Sequence, residues 1–175
     1  DERTTKQHNT QSRAQGTALE YCIDISNRLH ADPWFCIPHR ADDEYVINYA
    51  TMIRDSLDAN LKIYVEYTNE AWNGLFQQAT YCGDTGFALG LAPNTWEAAP
   101  LYYAQRSVET FNIFDSVFGG TDRLVRVMAW QNSTYWTPLM LDHNNAYQHA
   151  DALAIAPYFA GGLGNPSTQN YISQL

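Results

Sequence analysis

The sequence predicts an α/β fold of parallel strands, read as a partial (β/α)8 barrel carrying about strands 3 to 6 of the complete fold. Two observations predict it. Four short apolar runs start near residues 33, 62, 124 and 152, and two of the three intervals match the ~30 residues of one strand–helix–strand unit. Between the runs, apolar residues recur at helical spacing behind residues suited to helix starts. Such units imply parallel strands joined by right-handed crossovers.

Thr17-Ala18-Leu19-Glu20 has the form of a capping box, and Ala18, Cys22, Ile25 and Leu29 follow at helical spacing. The proline-bounded run PWFCIP, residues 33–38, suits a buried strand. Asp42 or Asp43 caps a second helix with Val46, Tyr49, Ile53 and Leu57 on one face, and KIYVEYT, residues 62–68, is the next strand. Pro100 reads as the first residue of a third helix that Gly119-Gly120 ends. LVRVMAW (124–130) is a strand, Thr137-Pro138 opens a weaker helix, ADALAIAPY (150–158) is a fourth strand, and Ser167 is a candidate cap for a last helix. The doubled interval leaves residues 74–99 as an inserted loop between strand and helix, in which the Gly86/Gly90 spacing carries no expected role.

The doubly wound sheet is the competing architecture. No GxGxxG or GxxxxGK[ST] follows a strand, and the glycines of GGLG at 161–164 lack the lysine and hydroxyl of a phosphate loop, which weighs against the nucleotide-binding version. A complete barrel takes about 250 residues, so 175 residues read as its middle, entering after the second strand and leaving after the sixth. The remaining strands are then expected from the same longer chain or from a partner chain, and the segment is not expected to fold alone.

Composition narrows the partners. Hydrophobic residues make up 45%, aromatics 14% with twelve Tyr and five Trp, and charged residues only 17%, which fits a domain with a real core. A net charge of -9 argues against nucleic acid and anionic membrane. Cys22, Cys36 and Cys82 show no zinc-type spacing, so no metal is expected and no other cofactor is indicated; Cys22 and Cys36 sit in apolar stretches that suit buried thiols. No run approaches the ~20 apolar residues of a membrane span. The polar start DERTTKQHNTQSR does not read as a signal peptide, and Asn132-Ser133-Thr134 is a glycosylation sequon that matters in a secreted eukaryotic protein.

In either architecture ligands meet the C-terminal ends of the strands, where His39, Asn69, Glu70, Trp130 and Tyr158 fall. The stretch KIYVEYTNE, residues 62–70, resembles the fourth strand of the clan A (β/α)8 glycoside hydrolases, which ends in Asn-Glu and often carries an earlier acid, here Glu66. With PWFCIPHRADDEYV and YVEYTNEAWN it also looks like bacterial barrel proteins described as cellulose-binding, and the likeness covers roughly residues 16–160. The resemblance implies a retaining glycosidase on β-linked polysaccharide, at a secreted or cell-surface location. Glu70 would be the acid/base, Asn69 the partner of the sugar 2-hydroxyl, His39 a sugar contact, and Tyr158 the partner of a nucleophile. Where the family often has a histidine two positions before that tyrosine, this chain has Ala156. Arg3 is the residue set against an arginine that orients the nucleophile.

The chemistry accounts for these residue types. A retaining glycosidase needs a carboxyl that gives a proton to the leaving oxygen and then takes one from water, and such an acid works best partly desolvated; Trp72 and Tyr67 flank Glu70. Asn69-Glu70 can equally cap the following structure, and His39 can equally anchor a loop beside Arg40 and Asp42. Glu66, inside the strand, is expected to face the barrel interior in a structural role, with Arg126 as its ion-pair candidate. Trp72, Trp96, Trp130, Tyr135 and Trp136 are candidate sugar platforms, Trp130 foremost because it ends a strand. The nucleophile is expected at the end of the seventh barrel strand, and no glutamate follows Glu109. The alternative functions are a non-catalytic carbohydrate-binding or structural extracellular protein on the same barrel, and an unrelated α/β binding module.

Overall fold

The computed structural model describes residues 17–157. The expectations placed on Arg3, Tyr158, the glycines at 161–164 and Ser167 lie outside the described residues. Four strands, β1 (Trp34–Cys36), β2 (Ile63–Glu66), β3 (Leu124–Gln131) and β4 (Ala152–Ala156), lie side by side in chain order and all run parallel. Order without reversal leaves no switch point of the doubly wound kind among the described strands. Helix α1 (Leu19–Leu29) precedes β1, and α2 (Asp43–Ser56) joins β1 to β2. Helices α3 (Gln77–Ala88) and α4 (Thr95–Phe118) join β2 to β3, and α5 (Trp136–Asp142) with a 3₁₀ stretch, His143–His149, joins β3 to β4.

Side chains alternate across a strand, and the two faces of this sheet differ. Phe35, Ile63, Val65, Leu124 and Met128 share one face and are buried in a single core with Val46, Ala50 and Ile53 of α2 and Ala104, Phe111 and Phe114 of α4. Each such side chain contributes about 1.5–3 kcal/mol by leaving water, so the helix-covered face is the main source of cohesion. The opposite face carries Trp34, Cys36, Tyr64 and Val125, all partly open, with Trp34 stacked on Tyr64 at 5.5 Å.

Register decides the fate of the buried charges. Arg126 pairs with Val65 across β2 and β3, one residue away from Glu66 and therefore on the opposite face. The expected Arg126–Glu66 ion pair does not form. Arg126 instead faces the helices and binds Asp151 at 2.8 Å and Asp115 of α4 at 3.2 Å.

Among the described helices α2 and α4 start at side-chain caps, and two starts depart from expectation. Asp42 accepts the Tyr45 N–H at 2.8 Å and starts α2 as expected. Helix α1 starts at Leu19 with Ala18 at the N-cap and no side-chain cap, so Thr17 does not hold that position. Helix α4 begins at Thr95, five residues before Pro100. Asn94 accepts the Glu97 N–H at 2.9 Å and donates its own amide to the Glu97 carboxylate at 3.0 Å, a reciprocal cap stronger than the start signal of proline. Pro100 is carried inside the helix.

Residues 74–99 therefore hold all of α3 and the first turn of α4. The two helices touch through glycine. A Cβ added at Gly83 would stand 2.9 Å from the Thr95 carbonyl oxygen, and one at Gly86 only 2.5 Å from that of Ala98. Gly90, at φ 72°, sits beyond the end of α3 in the left-handed conformation, with no atom within 4 Å of a built Cβ. Gly86→Ala is expected to cost about 1–3 kcal/mol through forced separation of the helices, and Gly90→Ala about 1 kcal/mol from its backbone alone. Thermal melts of the intact protein compare them; a Gly86→Ala midpoint equal to wild type would mean the helix pair is not in backbone contact.

Candidate active site

The end of β2 is fixed from both sides by phenols. Tyr67, fully buried, donates its hydroxyl to the His39 carbonyl at 2.7 Å, which ties the exit of β2 to the exit of β1. Strand β2 ends at Glu66 while β3 runs on to Gln131, so β3 loses its neighbour. The Tyr103 hydroxyl, from α4, accepts the Ala129 N–H at 3.0 Å there, filling a ladder position that burial would otherwise make costly. The Tyr103 ring meets Trp130 edge-on at 5.5 Å, and Trp130 in turn meets Trp72 at 6.3 Å.

Past this point the backbone turns. Thr68 is buried, Asn69 exposed and Glu70 half-buried. Glu70 takes φ 50°, a left-handed conformation uncommon for any residue but glycine, asparagine or aspartate. Two polar side chains hold the turn, Asn73 just before the insertion and Gln78 within it. Gln78 of α3 donates to the Asn69 carbonyl at 2.6 Å, and Asn73 donates to Glu70 Oε2 at 2.8 Å. Glu70 thus stands at the C-terminal mouth of the parallel sheet.

Glu66 lies four residues earlier and is 5% exposed. Its Oε2 accepts the Trp34 indole N–H at 2.9 Å and the Cys36 thiol at 3.7 Å, both from β1. Burial raises the Glu66 pKa above the ordinary carboxylate range, its two donors pull it back, and the Glu70 charge raises it again. Burial together with the Glu66 carboxylate pushes the Cys36 thiol up to about 12. Two carboxyls thus lie at the end of one strand, Glu66 enclosed and Glu70 half-buried at the mouth.

Beside Glu70 opens a pocket of about 380 Å³. Its walls come from Ala71 and Trp72 after the turn, Thr80, Gly83 and Asp84 of α3, Thr95 and Trp96 of α4, Trp130 and Gln131 at the end of β3, and Trp136 of α5. Four of the chain's five tryptophans meet here. Their exposures differ sharply: Trp96 is 75% exposed and Trp130 only 5%. Trp130 is a floor rather than a projecting platform, and the Trp72 indole N–H is buried without a hydrogen-bond partner. Tyr135 packs edge-on against Trp136 at 4.7 Å and donates to Glu97 at 3.2 Å.

Of the residues predicted from sequence, the structure thus gathers Trp72, Trp96, Trp130 and Trp136 in one pocket, with Asn69 and Glu70 beside it rather than in its wall. His39 does not join them. Its ring rests edge-on against Tyr81 at 5.2 Å, its Nε2 is buried without a partner, and burial followed by the charge of Arg40 lowers its pKa. The sequence reading left out Asn73, Gln78 and Asp84. Asn73 was discoverable from its position three residues after Glu70; Gln78 and Asp84 depended on recognising α3.

No protein-family model, curated protein or solved structure matches the chain. The class defined by the described residues is α/β, with a four-stranded parallel sheet. Among the described residues no helix is long and apolar enough to cross a membrane.

The Glu66 environment sets a pH dependence. A carboxyl whose pKa is raised by folding carries no penalty below the ordinary carboxylate range, and costs stability as pH rises through that range toward its folded value. Glu66→Gln keeps an acceptor for Trp34 and removes the charge. The variant is expected to be more stable than wild type at neutral pH, with the gain shrinking as pH falls through the ordinary carboxylate range. A variant less stable by the same margin at every pH, in thermal melts across that range, would show that the donors hold Glu66 as a carboxylate without cost.

Proposed function

We propose that the chain forms the acid/base side of a glycosidase barrel acting on β-linked polysaccharide by the retaining, two-step route. The observation that carries this reading is the convergence of four tryptophans beside a glutamate at the mouth of a parallel sheet. Ring faces of this kind suit the apolar C–H faces of sugars, and active sites in parallel α/β folds lie at that end of the strands. The sequential strand order supports the barrel. So do Leu153 and Ile155 of β4, which are 43% and 47% exposed on the side where β3 is covered by helices. The further strands would come from the same longer chain or a partner chain, and a secreted or cell-surface location belongs to the same reading.

In the first step a nucleophilic carboxylate from another strand attacks the anomeric carbon while Glu70 gives its proton to the departing glycosidic oxygen. In the second, Glu70 takes a proton from the water that releases the sugar from the nucleophile. The two carboxyls of such a pair stand about 5–5.5 Å apart. Asn69, exposed next to Glu70, is placed to meet the sugar 2-hydroxyl.

One observation favours a second reading, a non-catalytic carbohydrate-binding barrel. Both members of the Asn-Glu pair are held by neighbouring amides, Asn69 through its carbonyl by Gln78 and Glu70 through its carboxylate by Asn73. A carboxylate spent on a turn has no need to move a proton. Glu70→Gln in the intact protein separates the two. The glycosidase reading expects turnover of a substrate with a poor leaving group to fall ~10²–10⁴-fold with oligosaccharide binding near normal. Turnover unchanged by the substitution removes Glu70 from the acid/base role, and wild-type binding with no turnover at all supports the binder.

A further inference from the structure

We propose that the pocket beside Glu70 is a subsite for a neutral pyranose ring, and that the α3–α4 insertion makes the protein select uncharged glycans over uronic-acid polymers. The inference rests on the carbohydrate reading above and gives it a substrate class. Its basis is what lines the pocket and what is missing from the lining.

Among the described residues Asp84 is the one ionisable side chain in the wall, and no lysine, arginine or histidine of theirs lines it. A carboxylated sugar entering there would meet the Asp84 charge with no cation to offset it, on a chain that already carries a net charge of -9. Like charges brought together in a partly desolvated pocket discriminate strongly against the wrong ligand. A neutral ring meets the opposite situation. Asp84 offers an acceptor for sugar hydroxyls, while Thr80, Thr95 and Gln131 offer side chains that both donate and accept.

The apolar half of the recognition is Trp96. It sits in the first turn of α4 and leaves three quarters of its surface in water, an arrangement that gains from being covered by a sugar face. Trp130 and Tyr103 beneath are packed and cannot swing out, so the pocket has a rigid floor and one open aromatic wall. A volume of about 380 Å³ falls within the range of small-ligand sites. All of Thr80, Asp84, Thr95 and Trp96 belong to the insertion, so the selectivity is a property of that segment and not of the strand that carries Glu70.

Intrinsic tryptophan fluorescence of the intact protein tests this with neutral cello-, xylo- and manno-oligosaccharides, and with a cello-oligosaccharide oxidised to the uronic acid at C6. The expected result is saturable binding of at least one neutral oligosaccharide, weakened roughly tenfold by Trp96→Ala, and no saturable binding of the uronic form. Asp84→Lys is expected to confer binding of the uronic oligosaccharide, a gain that misfolding cannot mimic. Equal binding of the oxidised and neutral cello-oligosaccharides, neutral binding unaffected by Trp96→Ala, or binding of none of the neutral set would overturn the proposal. Because no turnover is read, loss of the Glu70 assignment leaves this result standing. Equal binding of the two sugars would sink the subsite alone and leave the Glu70 assignment untouched.

Discussion

Helix α3 can lie at backbone distance from α4 because Gly83 and Gly86 carry no Cβ, and the candidate site depends on that approach. With α3 pressed against α4, Gln78 reaches back to the Asn69 carbonyl, and Thr80 and Asp84 face the first turn of α4 across the pocket. Any side chain at Gly86 would meet a backbone oxygen, which cannot rotate aside as a side-chain tip can. The approach is also what turns a stretch of 26 residues, 74–99, from a loop into a wall. Reach alone would not do this, since a flexible connection of that length loses little by staying open.

The second constraint lies beneath the first. Parallel strands of unequal length leave unpaired backbone at the longer one, and here the unpaired group is the Ala129 N–H. Tyr103 satisfies it from α4 and supports Trp130 with the same ring. Tyr67 satisfies the His39 carbonyl and packs on Tyr103 at 5.8 Å. One helix therefore finishes the edge of the sheet, floors the pocket and receives α3. That explains why α4 runs through 24 residues with Pro100 inside it: the reciprocal Asn94–Glu97 cap sets its start where the pocket needs its first turn.

The strands and their parallel order were legible because strands buried against helices read as largely apolar runs, as in IYV and VMAW, and because the unit length repeats. Asp42 was legible as a cap, since an aspartate before an amphipathic run has one obvious use. Helix α3 was not. QQATYCGDTGFA has two glycines and little apolar periodicity, since its contact surface is backbone rather than side chain, and glycines that signal a loop in isolation signal a close helix pair in this context. Pro100 misled for a related reason, because the stronger cap lay six residues earlier. The Arg126–Glu66 pairing failed on register, which a sequence read strand by strand does not contain. Asn69, Glu70, Trp72, Trp130 and Trp136 were found because they lie at or soon after strand ends, and Trp96 by its aromatic ring alone; their neighbours from α3 could be found only after α3 itself.

Glu70 and Glu66 complete the argument. A non-glycine residue in the left-handed region costs on the order of 1–3 kcal/mol when the rest of the structure enforces it, and Gln78 and Asn73 are the groups that enforce it here. The conformation turns Glu70 out of the line of β2, so that a strand carrying two carboxyls presents one at its mouth and keeps the other enclosed by Trp34 and Cys36. The enclosed group gains proton affinity from burial and from its neighbour's charge. A proton held on Glu66 removes that repulsion together with the cost of burying its charge. The strand's period sets Glu66 inside, and the turn held by Asn73 and Gln78 sets Glu70 at the mouth, so one strand end supplies one enclosed and one accessible carboxyl.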